Sequence, residues 1–135
     1  VQARLRGQLV EAIFYSDYGV STYVNALFTT GELISGDPEL VQRFVRATLR
    51  GYRYAVEHPQ EAVDHTLAYD PDLDSEVQLS IMRAQIPFID TGERYIGWME
   101  RRIWQNTQRI LMDQDIMDIP IDIETLFTND FVVEQ

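Results

Sequence analysis

Prolines punctuate this sequence at positions 38, 59, 71, 87 and 120, and between the first four of them apolar residues recur at three- and four-residue intervals. Proline lacks the amide hydrogen that a helix interior requires, yet its fixed φ suits a first helical turn. The middle of the chain is therefore limited to a succession of separate helices. Asp37 can cap the first, which is expected over 38–57, with Leu40, Val41, Phe44, Val45, Leu49, Tyr52 and Val56 on one stripe. His58-Pro59 closes that helix and opens a second over 59–69, carrying Ala62, Val63, Thr66 and Leu67 on one side. A third follows Asp74 over 75–87, with Val77, Ile81, Met82, Gln85 and Ile86 inward and Pro87 at its end. A fourth over 98–113 turns Met99, Ile103, Trp104, Thr107, Ile110 and Leu111 inward, and Asp122 reads as the cap of a last turn holding Leu126 and Phe127.

The front of the chain has a different texture. Leu9 to Tyr15 is short, apolar and aromatic, and ends at the turn-forming Ser16-Asp17-Tyr18-Gly19, which predicts a strand over 9–15. Ala26 to Thr30 stops at Gly31 and predicts a second strand over 25–29. Two strands before four helices make an α/β, helix-rich inventory. A two-stranded pair is marginal in water by itself, so these strands are expected to belong to a sheet whose remaining strands lie outside the sequence.

Composition removes whole classes of chemistry. There are 22 acidic residues against 11 basic, a net charge of −11, the wrong sign for nucleic acid or anionic lipid as a partner. All the basic residues are arginine and there is no cysteine, which excludes Schiff-base lysines, thiol nucleophiles, thiolate metal sites and disulfides. Arg43, Arg46, Arg50 and Arg53 recur opposite the apolar stripe and read as a solvated helix face.

Motifs for catalysis or metal binding are missing. His58 and His65 are separated by a proline break and match no zinc pattern, which leaves them capping or surface roles. Asp70, Asp72 and Asp74 alternate like a calcium loop but lack its glycine and terminal glutamate, so they read as a turn and a helix cap. No serine stands in a triad pattern, and no glycine-rich loop suits phosphate. The one chemically suggestive stretch is 15–25, Tyr-Ser-Asp-Tyr-Gly-Val-Ser-Thr-Tyr-Val-Asn. Its flat aromatic faces and hydrogen-bonding groups suit a small heteroaromatic ligand, and equally suit tyrosines that cover a core edge.

The runs DYGVSTYVNALFTTGELI at 17–34, DPELVQRFVRATLRGYRYAVEHPQEAVDHTL at 37–67 and IGWMERRIWQNTQRILMDQDIMDIPIDIETLFTNDF at 96–131 resemble the carboxy-terminal part of the NMT1/THI5-like family. The most specific elements are Pro38-Glu39-Leu40-Val41, the stretch from Ala55 to Ala62, and Leu126-Phe127-Thr128-Asn129-Asp130-Phe131. That family comprises solute-binding proteins of ABC transporters for thiamine pyrimidine precursors, with relatives for riboflavin, nitrate, taurine and alkanesulfonates.

The resemblance implies the carboxy-terminal part of a two-lobed periplasmic-binding-protein type II fold, with the ligand between the lobes. In that frame residues 1–15 end the second lobe as a strand, 16–24 cross the hinge, and 25–135 supply a first-lobe strand and the closing helices. The sequence would begin just after a family asparagine-glutamate-proline motif, and most of the cleft would lie upstream. Asp17, Tyr18 and Gly19 match the family's hinge pattern, and Tyr23 and Asn25 follow as further ligand-binding candidates. The implied protein is not an enzyme and uses no cofactor. It captures a small molecule outside the cytoplasm, in the periplasm or an equivalent space, and hands it to an ABC permease; any lipid anchor would sit in the upstream part. A thiamine-type pyrimidine ranks first as ligand, riboflavin second, and small oxyanions such as nitrate or sulfonates third. Two alternatives differ in class: an extracytoplasmic sensing domain of a signalling receptor, and a pyrimidine synthase of the kind found in eukaryotic members. Those synthases use a cysteine-rich motif and a histidine, and this sequence has no cysteine.

Overall fold

The computed structural model describes residues 1–92 and 94–133. Among the described residues six helices form: α1 (Gln2–Leu5), α2 (Gly31–Gly36), α3 (Pro38–Glu57), α4 (Pro59–Tyr69), α5 (Ser75–Ile89) and α6 (Arg101–Asp113). Two 3₁₀ turns lie at Tyr15–Tyr18 and Ile123–Thr125. The chain divides into two compact units. One comprises Val1–Glu11, Arg43–Gly97 and Val132–Gln135, the other Ala12–Gln42 and Trp98–Phe131.

In the first unit the proline punctuation acts as the sequence requires. The His58 amide still donates to Tyr54 O at 2.8 Å, Pro59 takes the first position of α4, and the Ala62 amide reaches back to His58 O. The His58 side chain caps no amide of α4, but its Nδ1 lies 3.2 Å from Tyr54 O in the last turn of α3, a capping position at that helix end. It stacks on Tyr54 with ring centroids 4.3 Å apart, and the Tyr54 hydroxyl donates to Glu61 Oε2 at 2.6 Å across the break. Asp70 closes a turn on the Asp72 amide and Asp74 caps α5 through the Val77 amide at 2.8 Å, so the acidic run serves backbone geometry. Helices α4 and α5 pack on one another. Val63 is buried; Ala62, Leu67, Val77, Ile81, Met82 and Ile86 are half-buried, whereas Thr66 and Gln85 are exposed. Helix α5 runs two residues past Pro87, further than expected. Pro87 brings no donor to the ladder, but the Asp90 amide still closes on Ile86 O at 2.9 Å, so the last turn is completed beyond it.

On α3 the expected stripe is only partly covered. Val41 and Leu49 are buried and Val45 and Val56 half-buried, while Phe44 stays 61% exposed. Arg43, Arg46 and Arg50 are exposed, as a solvated face should be, whereas Arg53 is half-buried. Gly97, in the same unit as Leu49, has φ +89°, and a Cβ there would stand 2.6 Å from Leu49 Cδ2. Only glycine allows both that backbone conformation and that approach.

In the second unit α6 begins at Arg101, three residues later than expected, and the backbone before it bonds sideways. Asn129 accepts from the Met99 amide at 2.9 Å and donates to the Met99 carbonyl at 2.8 Å. The Glu100 amide donates to the Tyr23 hydroxyl at 2.6 Å. The first amides of a helix need no partner within it, so what delays the start is Glu100, whose backbone is extended at φ −103° and ψ 132°. After α6, Asp122 accepts from the Glu124 amide and opens the second 3₁₀ turn, whose Ile123 is buried; Arg101 pairs with Glu124 at 2.9 Å. Leu126 is the residue just past that turn, and Phe127 lies beyond it, stacked on Trp104.

The expected strands over 9–15 and 25–29 do not form, and no strand occurs among the described residues. Residues 9–14 and 25–29 are open chain with exposed apolar side chains, Leu9 at 103%, Ile13 at 77% and Phe28 at 97%, with Val24 beside them at 91%, and Tyr15 belongs to the first 3₁₀ turn. A strand exists only by pairing, and these stretches have no neighbouring strand to receive their amides and carbonyls.

Candidate functional site

The stretch 15–25 lies wholly within the second unit. Tyr15 to Tyr18 form one 3₁₀ turn, closed when the Gly19 amide donates to Ser16 O at 3.1 Å and the Val20 amide to Tyr15 O at 3.0 Å. Gly19 ends the turn with φ +79°, in the left-handed region that a β-carbon disfavours. Asp17 therefore shares one tight turn with two tyrosines, whose rings are 79% exposed at Tyr15 and 75% at Tyr18.

Helix α6 holds the end of this turn and the chain leaving it from 87 and 85 residues away in sequence. The Asn106 side-chain amide donates to Gly19 O at 3.2 Å and to Ser21 O at 3.1 Å. Its own oxygen accepts from Arg109 Nη2 at 2.7 Å, and Arg109 Nη1 pairs with Asp113 at 3.2 Å. Asn106, Arg109 and Asp113 recur at three- and four-residue spacing and so share one helix face.

Tyr23 and Asn25 are placed differently from Asp17, Tyr18 and Gly19. The Tyr23 ring is half-buried 5.8 Å from Trp104, tilted by 51°, and its hydroxyl is taken by the Glu100 amide. Phe127 stacks against Trp104 with centroids also 5.8 Å apart, so Tyr23 closes a three-ring cluster as a packing residue. The Trp104 indole N–H is buried and meets no acceptor among the described residues. Asn25 is exposed on the open stretch that carries Val24, Leu27 and Phe28. Asn106 and Arg109 were not among the residues singled out in the sequence. The one local signal is an arginine three residues after an asparagine on an amphipathic helix, which is too common to be diagnostic.

The turn thus holds two tyrosine faces to solvent and is backed by α6 through Asn106. Among the described residues no group of three or more His, Asp or Glu is arranged to hold a metal, and no helix is long and apolar enough to cross a membrane.

Residues 1–62 match the family described as NMT1/THI5 like, which establishes over that stretch the resemblance carried by the sequence motifs. Over 138 aligned residues, 98% of this chain, it is 30% identical to the riboflavin-binding protein RibY of Chloroflexus aurantiacus. It is 29% identical over 114 residues, 84% of the chain, to the 4-amino-5-hydroxymethyl-2-methylpyrimidine phosphate synthase of Legionella pneumophila. The chain spans 39% and 35% of the lengths of those two relatives.

Proposed function

We propose that this chain is the carboxy-terminal part of a solute-binding protein that captures a small heteroaromatic nutrient outside the cytoplasm and delivers it to an ABC permease. The observation that carries this reading is the turn at Tyr15–Tyr18, where two exposed tyrosine rings and Asp17 stand on a backbone held by Asn106. Exposed rings on an ordered turn lose little conformational entropy when a flat ligand stacks on them. In this reading residues 1–15 close a second lobe, 16–24 cross between lobes and 25–135 complete the first, with upstream sequence covering the open stretches near Leu9 and Phe28.

Binding rather than catalysis is supported by the chain's own chemistry. It has no cysteine, and its two histidines stand apart from the turn in sequence, His58 stacked on Tyr54 and His65 exposed. For the ligand, the longer match to a riboflavin-binding relative favours an isoalloxazine, and the synthase relative keeps a hydroxymethylpyrimidine as the second candidate. Asp17 accepts hydrogen bonds when ionised, which suits the ring N–H of a flavin or the exocyclic amine of an aminopyrimidine.

The test is titration of the full-length protein with riboflavin, read by quenching of flavin fluorescence, and with the hydroxymethylpyrimidine, read by calorimetry. Saturable binding of either at micromolar concentration or tighter is expected. Tyr18→Ala should weaken it up to about tenfold, since a stacked aromatic pair contributes about 0.5–1.5 kcal/mol beyond area burial. Failure of the wild-type protein to bind either compound defeats the ligand assignment. Unchanged affinity in Tyr18→Ala defeats the assignment of the site.

A further inference from the structure

The geometry points to Asn106 as the positioning residue of this turn, with Arg109 setting the orientation of its amide; the inference rests on the reading of residues 15–19 as the ligand-contacting element. An asparagine side chain offers two donors at one end and an acceptor at the other. Here both donors are used on main-chain carbonyls, Gly19 O at 3.2 Å and Ser21 O at 3.1 Å, two residues apart on the chain that leaves the turn. These bonds fix the exit of the turn, while the Gly19 and Val20 amides fix its body. Without them, the Tyr15 and Tyr18 rings would stand on a turn closed only by its own short-range bonds.

Asparagine can flip its amide, and a flipped Asn106 would set its oxygen against two carbonyl oxygens. Arg109 prevents this. A guanidinium only donates, so its Nη2 at 2.7 Å accepts one orientation, the amide oxygen toward α6 and the NH₂ group toward the turn. Asp113 holds the other guanidinium nitrogen one helical turn further on. That ion pair is exposed on both sides and adds little energy; its effect is to restrict where the guanidinium points.

Asn106→Asp in the full-length protein is the closest isosteric test. The carboxylate still accepts from Arg109 but turns an acceptor toward Gly19 O and Ser21 O. Faster hydrogen exchange at the Gly19 and Val20 amides is expected, with riboflavin or hydroxymethylpyrimidine affinity lowered about tenfold, as loss of two hydrogen bonds of ordinary strength allows. Arg109→Ala should show the same direction more weakly, and Arg109→Lys, which restores a donor, should recover most of the affinity. Unfolding midpoints of the Arg109 variants should stay near the wild type. Unchanged exchange in Asn106→Asp overturns the inference, and faster exchange with unchanged affinity overturns its role in binding. If the wild-type protein binds neither compound while the variant's exchange is faster, the ligand assignment falls and the anchor stands.

Discussion

Residues 8–30 and residues 38–89 are both rich in apolar side chains, but they meet the demands of their backbones in different ways. From Pro38 onward each helix pairs its own amides and carbonyls, so regular structure needs only a suitable local sequence and a cap such as Asp37 or Asp74. Residues 8–14 and 24–30 form no regular element, and the strands that their composition suggests would find partners only on another strand. The first kind of segment is completed from within, the second only by something brought to it.

The comparison breaks most sharply at Leu49, on the self-sufficient side. Leu49 is 7% exposed, so Leu49→Ala is expected to destabilise the chain by about 2–5 kcal/mol in urea unfolding followed by circular dichroism. Gly97→Ala should cost about 1–3 kcal/mol, because the new methyl meets Leu49 Cδ2 while the backbone stays at positive φ. The double variant should lose less than the sum, since alanine at 49 withdraws the clashing carbon and leaves only the backbone strain. Strict additivity would mean that the Gly97 approach to Leu49 has no energetic weight.

What was legible in the sequence follows the same division. The break at His58-Pro59 and the starts after Asp37 and Asp74 were readable because cap, proline and periodicity lie within a few residues of each other. The late start of α6 was not, because the backbone at 99–100 that precedes it is held by Asn129 and Tyr23, 30 and 77 residues from the amides they engage. The composition of 9–15 and 25–29 is strand-like and the strands expected there do not form, because β-propensity expresses fit to a pleated neighbour and forms nothing without one. At the site, Ser16-Asp17-Tyr18-Gly19 announced a turn, and Gly19 indeed adopts positive φ. Tyr23 resembled Tyr18 in the sequence and differs in structure because Trp104 and the Glu100 amide engage it. Asn106 left no trace in the pattern, since a contact made across 85 residues has no period.

A smaller effect sharpens the comparison from the open side. Phe28 is 97% exposed, so Phe28→Ala in this 135-residue chain should change stability by no more than about 0.5 kcal/mol. In the full-length protein the same substitution is expected to cost on the order of 1 kcal/mol or more, if upstream sequence covers the stretch as proposed. Thermal unfolding of both forms, with and without the substitution, decides it. Equal and negligible effects in the two would show that Phe28 faces solvent in the complete protein and that the proposed lobe assignment of residues 25–30 is wrong.

The smallest effect concerns the local clasp over the α3–α4 break. The hydrogen bond from Tyr54 to Glu61 is the main reason that the Tyr54 phenol ionises above its usual value of 10.0; desolvation and the Glu61 charge add to the rise. A folded-state pKa above the unfolded one means that the folded chain binds the proton more tightly, so stability falls as pH rises. The clasp's contribution is fully present below pH 10.0 and is lost as pH climbs through the raised folded value. Tyr54 is exposed and solvent screens the interaction, so the sensitive readout is the titration itself rather than the melting curve. Among the seven tyrosines, the ultraviolet tyrosinate signal should contain one late-titrating group that Tyr54→Phe removes and Glu61→Ala returns to the ordinary range. A titration curve unchanged by Glu61→Ala would show that the break at His58-Pro59 is held by Pro59 and the helix termini alone, with no clasp across it.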